Sequence, residues 1–301
     1  MTRILTALAL AVAAGAVQAS EPAPVAGRLT VYAAGDIADC RYARPQFAGA
    51  SQTAAIIEAG DPHALVLTLG DHTYPNGTAA EFRDCYAPTW GRFKSRTRPA
   101  IGNHEYYSGT TSGYYEYFGN TAGQRGRGYY SFDINGWHFI ALNSEMKGAA
   151  HQRQLLWLKD DLARHPARCT LAYWHSPLYS SGGHPETDHM REAWRLLYEA
   201  GVELVLSGHD HDYERFAPMD ADRKLDAARG VRQFVVGTGG AFLTPFRWIV
   251  DNSEARHNWR LGVLKLVLKE NGYEWEFLAA DGVRPESHER EAGDSGAASC
   301  H

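Results

Sequence analysis

Five short segments of this 301-residue chain carry side chains of metal-binding type, each behind a short apolar run. They are Gly35-Asp36, Gly70-Asp71-His72-Thr73-Tyr74, Gly102-Asn103-His104-Glu105, Trp174-His175 and Gly208-His209-Asp210-His211. Carboxylate, amide and phenol oxygens, together with imidazole nitrogens, suit hard or borderline metal ions. Any one segment alone reads as a turn or an ordinary histidine, because Gly-Asp and Asn-His commonly close turns. His209-Asp210-His211 is more specific, since two imidazoles one residue apart can face different ions of a pair. All five together predict one cluster at the rim of a sheet, where ligands gather in open α/β folds.

The elements that must position these segments follow from hydrophobic pattern. Strands are predicted at Leu29–Ala33, Leu65–Leu69, Tyr129–Phe132, Trp137–Leu142, Thr170–Trp174, Val202–Leu206, Gln233–Val236, Leu261–Leu268 and Tyr273–Leu278. Helices are predicted at Ser51–Ala59, Gln152–Ala163 and His189–Ala200, the second with an apolar face of Leu155, Leu158 and Leu162. Strands alternating with helices predict a layered α/β domain. The last strands lack helices between them, which predicts a mixed sheet. No internal repeat is visible. Ser20–Gly27 reads as a linker, residues 28–280 as one catalytic domain, and Asp281–His301 as a polar, mobile tail.

The apolar fraction of 44%, with 8 Trp, 16 Tyr and 11 Phe, fills a sizeable core. The net charge of −5 and the lack of a basic run argue against a nucleic-acid-binding surface. Arg3, the apolar stretch Ile4–Val17 and the small-residue site Val17-Gln18-Ala19 read as a secretory signal over residues 1–19. Export to a secreted or periplasmic location is the expectation, with no membrane span, because that stretch is too short to cross a bilayer. Export also makes the four cysteines disulfide candidates. Pairing Cys40 with Cys85 would tie two site loops together, and Cys169 with Cys300 would pin the tail. Four cysteines allow three connectivities, and the sequence does not decide among them.

The same residues resemble the metallophosphoesterase (calcineurin-like) superfamily, and best its purple acid phosphatase branch, over about Leu29 to Leu278. His209-Asp210-His211-Asp212-Tyr213-Glu214-Arg215 is similar to that branch's GHxHxYER segment. His175-Ser176-Pro177-Leu178-Tyr179 and Gly237-Thr238-Gly239-Gly240 resemble it too. The resemblance implies an α/β fold, a four-layer α-β-β-α sandwich of two mixed sheets flanked by helices. It also implies two metal ions. One would be held by Asp36, Asp71, Tyr74 and His211, the other by Asp71, Asn103, His175 and His209, with Asp71 bridging. Most superfamily members place a His two residues after the first Asp; here Ala38 stands there, and Tyr74 restores the ligand count. A phenolate favours a trivalent ion, so Fe(III) is expected at the Tyr74 site and divalent Zn, Fe or Mn at the Asn103 site.

The implied activity is hydrolysis of phosphate monoesters by metal-activated hydroxide, that of a secreted acid phosphatase. His104 is the candidate to stabilise the phosphoryl group or protonate the leaving group, with Glu105 expected to orient it. His184 reads as a second proton donor, in a loop where relatives often carry two consecutive histidines and this chain has Pro185. Glu214 and Arg215 are expected as a structural pair behind the His pair, while His72, His138, His151, His165 and His257 read as ordinary residues. Two other readings use the same segments: a phosphodiesterase acting on nucleotides or phospholipid head groups, and a non-catalytic metal- or phosphate-binding protein. Tyr106–Tyr117 and Gln124–Tyr130 are expected to line the pocket, with Arg125 or Arg127 available to grip a second phosphate. Substrate identity and oligomeric state are left open.

Overall fold

A computed structural model describes residues 27–41, 44, 48–280 and 293–301. The expected signal segment, residues 20–26 of the linker and residues 281–292 of the tail lie outside these. The chain opens with β1 (Arg28–Ala34), β2 (Ala38–Asp39), α1 (Gly49–Ala59), β3 (Leu65–Leu69), β4 (Thr73–Tyr74), the single turn α2 (Ala79–Glu81) and β5 (Thr97–Ala100). It continues through α3 (Ser112–Phe118), β6 (Tyr130–Ile134), β7 (Trp137–Ala141), α4 (Gly148–Arg164), β8 (Cys169–Tyr173), α5 (Arg191–Glu199) and β9 (Leu204–Ser207). The last strands are β10 (Tyr213–Phe216), β11 (Arg232–Val236), β12 (Ser253–His257), β13 (Gly262–Lys269), β14 (Gly272–Ala279) and β15 (Ser295–Ser299).

Two large mixed sheets result. The first has the order β15-β14-β13-β1-β3-β5, with β1, β3 and β5 parallel and the remaining pairs antiparallel. The second has the order β12-β10-β11-β9-β8-β7-β6, with β7, β8, β9 and β11 parallel. Alternate residues of the second sheet serve different cores. Phe139, Leu171, Leu206 and Phe234 join Leu264 and Leu266 of the first sheet in one core. Ile140, Ala172, Val205 and Val235 join Leu155 and Leu158 of α4 and Trp194 and Leu197 of α5 in the other. The first core also takes Ala50, Ala54 and Ile57 of α1. The central strands are apolar at nearly every position because both of their faces are covered. The α-β-β-α layering is therefore written in those runs.

Two expectations change. The chain end is not a free tail where it is described, because β15 pairs along β14 from Gly272↔Ser299 to Glu276↔Ser295. Asp294 accepts hydrogen bonds from Tyr213 Oη at 2.6 Å and Arg215 Nε at 2.7 Å, which fastens this segment to β10. Its polarity misled because an edge strand needs few apolar residues. The second change concerns Tyr106–Tyr117, which do not form an open pocket wall: α3 turns Tyr114, Tyr115 and Phe118 into the first core. Only Tyr106 and Tyr107 of that group remain as large exposed apolar side chains.

The disulfides are Cys40–Cys85 and Cys169–Cys300. The first fixes Cys40 at the end of β2, four residues after Asp36, to the segment that follows α2. Its partners are 45 residues apart in sequence. Loss of a cross-link over a loop of that length removes about 4 kcal/mol if chain entropy dominates. The Cys40→Ala/Cys85→Ala variant should show that loss in denaturant unfolding under non-reducing conditions, with a larger m-value because the unfolded chain opens further.

Candidate metal centre

The five segments sit at the carboxyl ends of β1, β3, β5, β8 and β9 and converge between the sheets. Asp36, Asp71 and His209 take left-handed backbone angles, with φ of 61°, 47° and 73°. Such angles are uncommon for residues with a Cβ and persist where the surroundings over-determine them. Here the parallel pairing of β1 with β3 continues past the strands. Asp36, Ile37 and Ala38 donate their N–H groups to the carbonyls of Gly70, Asp71 and His72 at 3.0–3.2 Å. The pairing ends in the β2–β4 ladder, where Asp39 lies opposite Tyr74. That register carries the Tyr74 phenol back beside Asp36. Gly102 and Gly208 permit close approach: a Cβ at either would lie 2.3 Å from Asp71 Oδ1 or 2.6 Å from Asp36 Oδ2.

Two donor quartets result, sharing one atom. Tyr74 Oη lies 2.7 Å from Asp36 Oδ1, 3.2 Å from Asp71 Oδ2 and 3.0 Å from His211 Nε2. His175 Nε2 lies 3.2 Å from the same Asp71 Oδ2, 2.9 Å from Asn103 Oδ1 and 3.1 Å from His209 Nδ1. Neighbouring ligand atoms on one ion with bonds of 2.0–2.2 Å stand about 3 Å apart, so both quartets have coordination spacing.

The outer hydrogen bonds aim lone pairs inward. His175 Nδ1 faces the Leu69 carbonyl at 2.7 Å, and His211 Nδ1 faces the Phe242 carbonyl at 2.5 Å. A carbonyl only accepts, so both Nδ1 atoms carry protons and both Nε2 atoms face the centre. The Asn103 amide donates to Tyr107 Oη at 2.8 Å, which turns Oδ1 inward. The His104 N–H binds Asp71 Oδ1 and the His209 N–H binds Asp36 Oδ2, both at 2.8 Å, leaving the other oxygen of each carboxylate free for the quartets. Acceptor facing acceptor requires a proton or a cation between them, and these residues fit metal ions.

The electrostatics agree. Burial alone would lower the His175 imidazole, but the Asp71 carboxylate outweighs it and pushes it up to about 10. Burial and the neighbouring His175 and His184 push His209 down to about 3. Burial, then Asp36 and Asp71, drive the Tyr74 phenol well above its ordinary value. Burial would raise the carboxyls of Asp36 and Asp71, yet His211 beside the first and His175 beside the second hold both below the usual range. Protons on His175 and Tyr74 thus compete with metal ions for the same donors.

A family model described as calcineurin-like phosphoesterase matches residues 29–213. The chain belongs to that family. Among curated relatives, Purple acid phosphatase 15 of Arabidopsis thaliana is 31% identical over 213 residues, covering 58% of this chain and 40% of its own length. A purple acid phosphatase structure, PPD1 from yellow lupin seeds, matches with a TM-score of 0.69 at 20% identity, over 91% of this chain and 54% of that one. The structure of GAP50, the anchor in the inner membrane complex of Plasmodium, has the same TM-score at 14% identity and covers 91% and 90%. The chain therefore spans about half the length, or less, of the purple acid phosphatases it matches. Similarity at these structural identities speaks for the fold alone.

In this calcineurin-like phosphoesterase the proton-handling candidates flank the quartets. His104 Nδ1 faces the Pro75 carbonyl at 2.6 Å, so it carries the proton, and Nε2 lies 3.8 Å from Asp71 Oδ2. Glu105 does not orient it. The Glu105 side chain is fully buried and accepts from the N–H groups of Asp71 (3.1 Å), His72 (2.8 Å) and Gly102 (2.8 Å). It points beneath the Asp71 turn and braces the carboxylate that the two quartets share. His184 lies at the other side, its ring 4.1 Å from that of His209 and its Nδ1 2.8 Å from Asp210 Oδ1. Sequence reasoning gave Asp210 no role, although its place between the two histidines marked it.

Glu214 and Arg215 are not a pair either. They are adjacent in β10 and so point to opposite faces. Glu214 accepts from the Ser181 N–H at 2.8 Å, whereas Arg215 makes a two-pronged ion pair with Asp294. Arg125 is exposed and pairs loosely with Glu116 at 3.8 Å. His72 is buried among Phe82, Tyr86, Tyr114 and Phe118, an ordinary core histidine. Among the described residues no helix is long and apolar enough to cross a membrane.

Two outcomes follow. Because His175 is protonated below about 10, loading the Asn103 site with Zn²⁺ must expel that proton. Affinity should rise with pH through the neutral range, and titration in weak buffer should show proton release. Glu105→Gln removes the charge that gathers three N–H groups behind Asp71, and should weaken metal affinity about 10- to 100-fold, as loss of an outer-shell partner does. Calorimetric metal titration checks both.

Proposed function

We propose that this chain is a binuclear-metal phosphatase that hydrolyses phosphate monoesters. The observation that carries the proposal is the pair of donor quartets sharing Asp71 Oδ2. Asp36, Asp71, Tyr74 and His211 would hold one ion, and Asp71, Asn103, His175 and His209 the other. Bound there, the two ions would supply a hydroxide nucleophile at moderate pH and neutralise phosphoryl charge. Burial and two carboxylates hold the Tyr74 proton, and a highly charged cation displaces it most readily, which favours Fe(III). Asn103, His175 and His209 bring no charge of their own when His175 gives up its proton, which suits a divalent ion of zinc, iron or manganese.

The remaining steps fall to side chains. With Nδ1 tied to Pro75, His104 presents Nε2 to a phosphoryl oxygen beside the bridging carboxylate. When the ring is doubly protonated, that nitrogen can stabilise the phosphoryl group or give its proton to the departing oxygen, leaving the Nδ1–H form that Pro75 holds. The monoester reading follows the purple acid phosphatases among the relatives. A merely metal-binding protein would have no need of His104 at the opening. Export fits the two disulfides, which persist in oxidising compartments.

The decisive measurement is turnover of a mono- and a bis-aryl phosphate beside metal analysis and a visible spectrum. Monoester turnover and a phenolate-to-iron absorption band, lost in Tyr74→Phe, are expected. Turnover of the diester alone overturns the monoester reading. Bound metal without hydrolysis of either ester overturns catalysis, and an iron-loaded protein lacking the band overturns the ferric assignment.

A further inference from the structure

Asp210 lies between two residues of the quartets but belongs to neither. Its side chain is almost wholly buried, and a single oxygen, Oδ1, receives both the His184 N–H at 3.1 Å and His184 Nδ1 at 2.8 Å. The loop leaves room for this carboxylate only because residue 182 is glycine: a Cβ there would stand 2.2 Å from Asp210 Cγ. On the other side of the loop, Glu214 clamps Ser181 through its N–H and its hydroxyl. A carboxylate only accepts, so Nδ1 of His184 carries a proton and Nε2 is the nitrogen left for a ligand. The ring lies 4.1 Å from that of His209, and the His184 side chain is 45% exposed. Pro185 follows it, so the loop offers no adjacent imidazole to take over.

Resting on the phosphatase reading above, we propose that Asp210 is a positioning residue for leaving-group protonation. It fixes the ring direction of His184 and holds the Nδ1 proton, so that the doubly protonated ring turns Nε2–H toward the departing ester oxygen and is left as the neutral Nδ1–H tautomer once that proton is given. As the P–O bond breaks, its electron pair passes to that oxygen and the proton moves to it from Nε2. A hydroxide oxygen forms the new bond to phosphorus. The need for this proton grows with the basicity of the leaving group. A dinitrophenolate leaves without help, and an alkoxide does not.

The test compares 2,4-dinitrophenyl phosphate with a simple alkyl phosphate, using wild type, Asp210→Asn and Gly182→Ala, the last of which displaces the carboxylate while keeping both Asp210 and His184. In both variants kcat for the alkyl ester should fall about 10- to 100-fold, within the range for one general acid, while the aryl ester and both KM values change little. Metal content should be unchanged. Nitrogen-15 NMR of histidine-labelled protein supplies a readout independent of turnover: His184 should show its neutral proton on Nδ1 in wild type and lose that preference in the variants. Equal loss on both esters, no loss on either, escape of metal from Asp210→Asn, or a wild-type His184 with its proton on Nε2 each overturns the proposal. If wild type hydrolyses neither ester, the phosphatase reading fails, and the NMR result still decides whether Asp210 sets the tautomer.

Discussion

One oxygen atom, Asp71 Oδ2, is common to both donor sets, and the rest of the rim is arranged to keep it there. Two cations a few ångströms apart repel strongly in a buried site, and a shared carboxylate between them offsets part of that repulsion. For one carboxylate to serve two ions, its other oxygen must be occupied elsewhere and its backbone must be fixed. The His104 N–H occupies Oδ1. Glu105, from the neighbouring strand end, draws in the Asp71 N–H, and the backbone angle of Asp71 is held in the left-handed region. Strain here is local and is offset by hydrogen bonds from three directions.

The same logic explains why the ligands come from different strand ends. A parallel strand delivers its carboxyl end to one rim, and the first residues past that end are free to turn. β1, β3 and β5 bring Asp36, Asp71 and Asn103 from one sheet, while β8 and β9 bring His175, His209 and His211 from the other. The layered core is thus more than support. Stacking two sheets face to face places oxygen-rich loops opposite nitrogen-rich ones, and the quartets form where they meet.

The convergence of these donor side chains was legible in the sequence because each follows an apolar run, and the runs themselves disclosed strands buried on both faces. The Ala38 and Tyr74 exchange was equally legible, and the β2–β4 pairing supplies its geometry. What escaped was direction. Glu105 sits next to His104 in sequence, but a tight helical turn sends the two side chains apart, one beneath Asp71 and one to the opening. Glu214 and Arg215 were likewise neighbours in a strand, where successive side chains face opposite ways. β12 and β15, rich in charged or small residues, escaped for another reason: edge positions do not need the apolar pattern that betrays a central strand. Tyr114 and Tyr115 looked like pocket residues because tyrosine is amphipathic. Tyr114 instead spends its hydroxyl on the Pro99 carbonyl inside the core.

His104 and His184 are each anchored by a loop that also carries a member of the donor quartets. His104 leans on the carbonyl of Pro75, the residue after Tyr74, and His184 leans on Asp210, the residue between His209 and His211. Movement of a ligand loop would therefore move an imidazole with it. Each quartet and its neighbouring imidazole form one mechanical unit, built across two strand ends rather than along one. Such coupling keeps the spacing between the quartets and the two imidazoles fixed by the rim, and leaves the outer loops, with Tyr107 and Phe242 exposed, free to vary.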